Sequence, residues 1–267
     1  TVNHYFAYHA GLHASIYHND QTYFGIDPRI TFQFTPAENH EITLHGGCYT
    51  QYFHKAGLTG GGLPTDFFLL ADSTFKPERA IATSLRYSAS FLNKRWSIQV
   101  EGYFKQILGI VESLGNIVQL INREFEYEKY LITGDGRNYG MNLMLQKNSG
   151  ILTGYVSYSL GWARRKLPAL DGRNDYIYAA SHERRHDLNI VLNARFAKRW
   201  TIGSQFVLAS GLPYTKAEEA YMLNGNMICR YSTFNGAHMP LYNRLDLSCS
   251  CDIIKTSERE FGINLSL

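Results

Sequence analysis

The chain has 267 residues, of which 45% are apolar, 18% charged and 14% aromatic, with a net charge of +3 at neutral pH. So small a charge, with no Lys/Arg run, argues against a phosphate-tracking nucleic-acid groove. No run of about 18 apolar residues is available for a transmembrane helix. The charged fraction lies below the roughly 25% usual for soluble domains, and the excess of Tyr and Phe favours pleated surfaces.

The four cysteines, Cys48, Cys229, Cys249 and Cys251, show neither C-x-x-C spacing nor a disulfide framework, and read as small apolar surface. Residues 1–20 lack the basic-then-apolar order of a signal peptide. The chain opens on Thr1 in what already reads as a strand, so a mature, processed or fragmentary chain is expected.

In chain order the dominant signal is a period of two, which a strand satisfies and a helix cannot. Leu12, Ala14 and Ile16 alternate with His13, Ser15 and Tyr17; Ile30, Phe32 and Phe34 alternate with Arg29, Thr31 and Gln33. After the turn Pro36-Ala37-Glu38-Asn39, a strand sets Ile42, Leu44, Gly46 and Cys48 against Glu41, Thr43, His45 and Gly47. A long segment, roughly 55–79, carries Gly60-Gly61-Gly62, which lacks the Lys and helix of a phosphate loop.

Strands resume at Ile81–Phe91 and, past Asn93-Lys94-Arg95, at Trp96–Phe104. Another long connection, 113–134, precedes Tyr139–Leu145; the turn Lys147-Asn148-Ser149-Gly150 then leads to Leu152–Trp162. A third, 166–181, leads to a strand with Leu188, Ile190, Leu192, Ala194 and Phe196 on one face. The turn Ala197-Lys198-Arg199 follows, then Trp200, Ile202, Phe206 and Leu208. A fourth, 212–240, precedes Leu245, Leu247, Cys249 and Cys251, and after Lys255-Thr256-Ser257-Glu258 the last strand shows Phe261, Ile263 and Leu265.

About eleven strands result, most longer than the 5–6 residues common in soluble sheets. Short turns alternate with long connections. Long tilted strands, one apolar and one polar face, and this alternation predict an all-β, antiparallel up-and-down transmembrane β-barrel segment. Trp96 and Trp200 just after short basic turns, with Phe91 and Phe196 just before, fit an interfacial aromatic girdle. A soluble sandwich with one polar face per sheet is the competing reading, which the strand lengths and loop asymmetry do not suit.

His182-Glu183-Arg184-Arg185-His186 matches the H-E-x-x-H pattern, which on a helix places two imidazoles one turn apart with the Glu as general base. A zinc metallopeptidase is therefore an alternative. Against it, Asp187 and a period-two run follow at once, with no helical periodicity and no third ligand. Tyr176-Ile177-Tyr178-Ala179-Ala180-Ser181 upstream reads as short helix or loop. No catalytic residue and no cofactor is expected.

Arg185 with Asp187, and Arg244 with Asp246, fall on equivalent strand faces as charged pairs expected to point into a lumen, bonded to one another or to an inserted plug. The long connections would face outwards and carry ligand specificity. Their candidates are Tyr176, Tyr178, Tyr221, Arg230 and His238.

Several segments together resemble the C-terminal barrel of TonB-dependent outer-membrane receptors. They are Asp27-Pro28-Arg29, Asp135-Gly136-Arg137-Asn138-Tyr139-Gly140, Gly154-Tyr155-Val156-Ser157-Tyr158-Ser159 and Arg184-Arg185-His186-Asp187-Leu188-Asn189. Lys198-Arg199-Trp200, Ala209-Ser210-Gly211-Leu212-Pro213-Tyr214-Thr215 and Tyr242-Asn243-Arg244-Leu245-Asp246-Leu247 complete the set.

The resemblance implies residues 1–267 as about half of a 22-stranded barrel, with the plug domain and final strands absent from this chain. It implies a place in the cell outer membrane and import of a scarce ligand (ferric chelate, vitamin or oligosaccharide), with no enzymatic activity. The implied partners are outer-membrane lipid, TonB–ExbB–ExbD acting through the missing plug, the small-molecule or oligosaccharide ligand and a surface lipoprotein. Another outer-membrane barrel, porin or adhesin-like, is the further alternative.

Overall fold

A computed structural model of the protein describes residues 5–56, 67–113, 131–168, 176–197, 199–223, 226–255 and 260–266. All regular structure among them is β-strand. The first half holds β1 (Phe6–His18), β2 (Thr22–Ala37), β3 (His40–Gln51), β4 (Phe53–Ala56), β5 (Phe67–Leu70), β6 (Glu78–Phe91), β7 (Trp96–Ser113) and β8 (Leu131–Lys147). The second holds β9 (Leu152–Leu167), β10 (Tyr176–Ala179), β11 (His186–Phe196), β12 (Trp200–Ala209), β13 (Pro213–Tyr214) and β14 (Ala217–Leu223). It ends with β15 (Asn226–Tyr231), β16 (Ala237–His238), β17 (Tyr242–Lys255) and β18 (Glu260–Ser266).

One antiparallel sheet runs β1-β2-β3-β6-β7-β8-β9-β11-β12-β17-β18, with β10 paired to β9. Each strand neighbours the next long strand in sequence, so the topology is an up-and-down meander. Among the described residues β1 and β18 do not pair, and the sheet is open. Three two-stranded units, β4–β5, β13–β16 and β14–β15, lie within the long connections.

Strand lengths reach 18 residues in β7 and 17 in β8. Those strands run on beyond the apolar stretches that mark them in the sequence, into segments expected to be loop. Gly60-Gly61-Gly62, Lys198 and most of the Lys255–Glu258 turn lie outside the described residues.

The two faces sort by residue parity. Leu12 is 70% exposed, and Phe24, Ile26, Ile81, Leu85 and Leu245 are exposed beside it on the apolar face. On the other face Arg86 sits 3.3 Å from Glu101 across the β6–β7 pair, Gln33 donates to Glu41 at 2.8 Å, and His45 bridges Thr31 and Tyr49. A soluble protein does not leave so broad an apolar face uncovered; a lipid-facing wall does.

The short-turn end carries Phe91 stacked on Trp96 at 6.4 Å, with Phe196 paired to Trp200. At the other end a row across β7, β8 and β9 is Phe104, Tyr139 and Trp162, the last two stacked at 5.3 Å. Phe104 follows Trp96 by eight positions of tilted strand, about 19 Å along the barrel axis at ~3.4 Å per residue and ~45° tilt. Two aromatic rows thus border an apolar band close to the ~25 Å of outer-membrane barrels.

Candidate functional site

Beyond the Phe104–Tyr139–Trp162 row the sheet changes character, and side chains become buried. The centre is Arg165 at the end of β9, with its side chain 7% exposed. Strand parity turns it to the polar face, where it pairs with Gly136 of β8. A Cβ at Gly136 would stand 2.7 Å from Arg165 Nη1, so the glycine is the space the guanidinium occupies. Arg165 donates to Asn138 Oδ1 at 2.9 Å, to the Arg164 carbonyl at 3.3 Å and to His182 Nε2 at 3.3 Å. Its Nε lies 3.7 Å from Glu112 Oε1.

Burial pushes the Glu112 carboxyl up from its ordinary value, Arg165 pulls it back, and Glu78 adds to the rise. Burial holds His182 below its usual range, helped by the charges of Arg165 and Lys55. The imidazole is therefore neutral, and its Nε2 accepts the hydrogen bond from the Arg165 N–H.

Beside this core the sheet hands β9 from one partner to another. Its lower part pairs with β11 up to Leu160↔His186; its upper part pairs with β10 from Arg164↔Ala179 onward. Glu183 fills the gap. Its carboxylate, 2% exposed, accepts the Ala163 N–H at 2.8 Å and sits 3.6 Å from Arg164 and 3.1 Å from Arg185.

The pentad is thus structural. His182 bonds Arg165 on the polar face; His186 stacks on Tyr158 and bonds its hydroxyl at 2.7 Å on the apolar face. Opposite sides of a sheet cannot share one ion, and Glu183 is neutralised by two arginines. Among the described residues no group of His, Cys, Asp and Glu could hold a metal. The residues 176–179, expected as helix or loop, are strand because they complete the exposed edge of β9.

The charged pairs separate. Arg244 and Asp246 lie on the polar face and bond at 2.9 Å. Asp187 lies on that face too, but accepts from Asn189 instead. Arg185 departs from the predicted alternation: β11 begins one residue later, and the guanidinium lies over the Trp162 ring at 5.8 Å, on the apolar side.

The five loop candidates do not converge. Tyr178 is 4% exposed, wedged edge-on against Phe234 at 4.8 Å, so it is a buried packing residue rather than a loop tip. Its hydroxyl has no hydrogen-bond partner among the described residues, and burial pushes its ionisation up. Tyr176 stacks on it at 5.9 Å. Tyr221 and Arg230 lie on the β14–β15 hairpin, where Arg230 faces Glu218 and Glu219 at 3.6 and 3.4 Å. His238 is exposed on β16.

Sequence reasoning passed over Arg165, Glu112 and Asn235. Asn235 donates to the Ala179 carbonyl at 2.9 Å and is 5% exposed, tying the last long connection onto β10. The one available signal was the run Arg164-Arg165-Lys166, three cations continuing a strand whose alternation should have placed the middle one inside.

Neither a protein-family model nor a curated protein sequence matches the chain. Among solved structures it is similar to the ferric-catecholate import receptor Fiu of Escherichia coli K12, at 12% identity and a TM-score of 0.54 over 88% of this chain. It is likewise similar to the Pseudomonas aeruginosa outer-membrane ferripyoverdine receptor bound to ferripyoverdine, at 10% identity and 0.62 over 95%. A structure of the same receptor, FpvA, with a heterologous pyoverdine gives 10% and 0.61 over 95%. The chain spans 30–31% of the length of those proteins. Its fold is that of the barrel part of TonB-dependent receptors.

Proposed function

We propose that the chain is part of the wall and outer loops of an outer-membrane receptor that imports a ferric chelate by TonB-dependent transport. The observation that carries this reading is the wall itself. Eleven long antiparallel strands in meander order have an unpartnered apolar face, a hydrogen-bonded polar face and aromatic rows at both ends. That combination superposes on receptors for ferripyoverdine and ferric catecholate. The apolar face is the lipid face and the polar face lines the lumen.

In this reading residues 1–267 supply half a barrel, and the remaining strands and a plug complete it, since open sheet edges are not tolerated within a bilayer. TonB with ExbB and ExbD acts on the plug, not on this chain. Asp187, Arg244 and Asp246 face the plug. The chain's part in transport is to bind and to enclose, with no covalent chemistry.

The test uses the full polypeptide that contains this chain, expressed in an iron-starved Gram-negative host lacking its own ferric-chelate receptors. The protein should fractionate with the outer membrane and restore growth on a ferric catecholate or on ferripyoverdine, with loss of growth when TonB is deleted. Growth independent of TonB would point to a porin and overturn the reading.

A further inference from the structure

The β4–β5 hairpin, in the first long connection, meets the barrel wall at β7. Pairing sets His54 and Leu69 on one face of it, and Phe53, Leu70, Lys55 and Phe68 on the other. Phe53, Phe68 and Leu70 are exposed, and Phe53 meets Phe68 edge-on at 5.9 Å. Beside the hairpin, residues 71–75 form a strap closed on itself, with Asp72 Oδ1 accepting the Thr74 and Phe75 N–H groups at 2.8 and 2.7 Å. Three bonds fasten the strap to the β1–β2 turn. Asn19 donates to the Ala71 carbonyl at 3.3 Å, Tyr23 to the Asp72 carbonyl at 2.6 Å, and the Ser73 N–H to Asp20 at 2.8 Å.

His54 is held between hairpin and strap. It is 1% exposed, and neither ring nitrogen has a hydrogen-bond partner among the described residues. Burial keeps its ionisation below the ordinary range, against the opposing pull of the Lys76 and Phe75 carbonyls and of the Asp72 carboxylate. The other charged groups on the surrounding elements are Lys55 on β4, Lys76 after the strap, Asp20 on the β1–β2 turn, Glu78 on β6, and Lys105 and Glu112 on β7. β5 carries none. A proton on this imidazole makes a cation with two donors, no acceptor in hydrogen-bond geometry and no access to water. Opening the hairpin hydrates it.

We infer that the β4–β5 hairpin is an acid-released flap at the outer mouth: a proton taken up by His54 frees β4 from β7 and from the strap, while the strap stays on the β1–β2 turn. The hairpin is the part that yields, because its far face is exposed whereas the strap is tied down by three side-chain bonds. The opened hairpin has the ordinary histidine value of 6.5 and the closed one a lower value. Closure is therefore fully favoured above about 6.5 and weakens as pH falls below it, by up to about tenfold per pH unit. Only the flap's place outside the bilayer rests on the membrane reading given above.

The test is amide hydrogen exchange on the full polypeptide containing this chain, in micelles, at pH 7.5 and 5.5, corrected for the intrinsic exchange rate at each pH. The opening constant over residues 53–56 and 67–70 should rise by up to about tenfold at the lower pH, with β1, β2 and residues 72–75 unchanged. His54→Phe, which fills the space without a proton to take up, should abolish the rise; His182→Gln should leave it in place.

No rise in wild type, a rise that survives in His54→Phe, or an equal rise in β1 and β2 overturns the flap. If His54→Phe loses protection at both pH values, exchange of the His54 ring C2 hydrogen in the unaltered protein decides. A midpoint below 6.5 supports the flap, and one at or above 6.5 overturns it. A protein that fails to fractionate with the outer membrane sinks the membrane reading, whereas a hairpin indifferent to pH sinks only this inference.

Discussion

The wall below the Phe104–Tyr139–Trp162 row and the rim above it are built from the same strands but obey different rules. In the wall, side chains sort by parity into lipid and lumen. Pairs such as Arg86–Glu101, with Arg86 half exposed, stay wet. In the rim Arg165, Glu183 and Asn235 are buried, each at 6% exposure or less, and every one holds specific partners. Wall positions can therefore be exchanged within their face, whereas rim positions cannot, because a buried charge that loses its partner has no water to replace it.

The sharpest way to break this contrast is Arg165→Ala. It takes a buried guanidinium away from half-buried Glu112, Asn138 and His182 and should cost about 3 kcal/mol of rim stability, read as accelerated amide exchange in β10 with β1–β3 unchanged. Equal exchange throughout would erase the distinction. Next, Leu143→Arg places a cation on the lipid face near mid-height and should cost about 2–4 kcal/mol, while Asn142→Arg on the lumen face should be nearly neutral. Chemical denaturation in micelles compares the two.

A smaller effect is expected of Glu183→Gln, on the order of 2 kcal/mol, since the amide can still accept from Ala163 but no longer neutralises Arg164 and Arg185. Bound zinc should be zero before and after. His182 supplies a pH signature. Its folded ionisation lies below the ordinary 6.5, so the unfolded loop takes up a proton first as pH falls. Rim stability is fully present above about 6.5 and declines below it. Limited proteolysis between residues 168 and 182 should rise from pH 7.5 to 5.5, and His182→Gln should flatten the profile. Smallest of all, Arg244→Ala removes a largely exposed pair and should change stability by under about 1 kcal/mol.

The wall was legible in the sequence because parity is a local property. Leu188 through Phe196 announce their faces without reference to any other strand. The rim was not, because its logic lies between strands. Asp135-Gly136-Arg137-Asn138-Tyr139-Gly140 stood out as a motif, but its meaning needs β7 and β9 alongside. Gly136 makes room for Arg165, Asn138 holds it, Tyr139 stacks on Trp162, and Gly140 gives space to the Tyr103 hydroxyl. The pentad misled for the same reason: five letters carry no record that the sheet changes partner between β10 and β11, which sends His182 and His186 to opposite sides.

That change of partner has a consequence for assembly. Every wall strand pairs with the long strand before it, across either a short turn or one long connection, so the meander can grow strand by strand. The Ala179–Asn235 bond and the Tyr178–Phe234 contact each span 56 residues, and they reach across β11 and β12. They can form only after both of those strands are in place. The tie between β10 and the last long connection therefore follows the strands it spans, and a sheet caught midway through assembly would present a finished wall beneath an unfinished mouth.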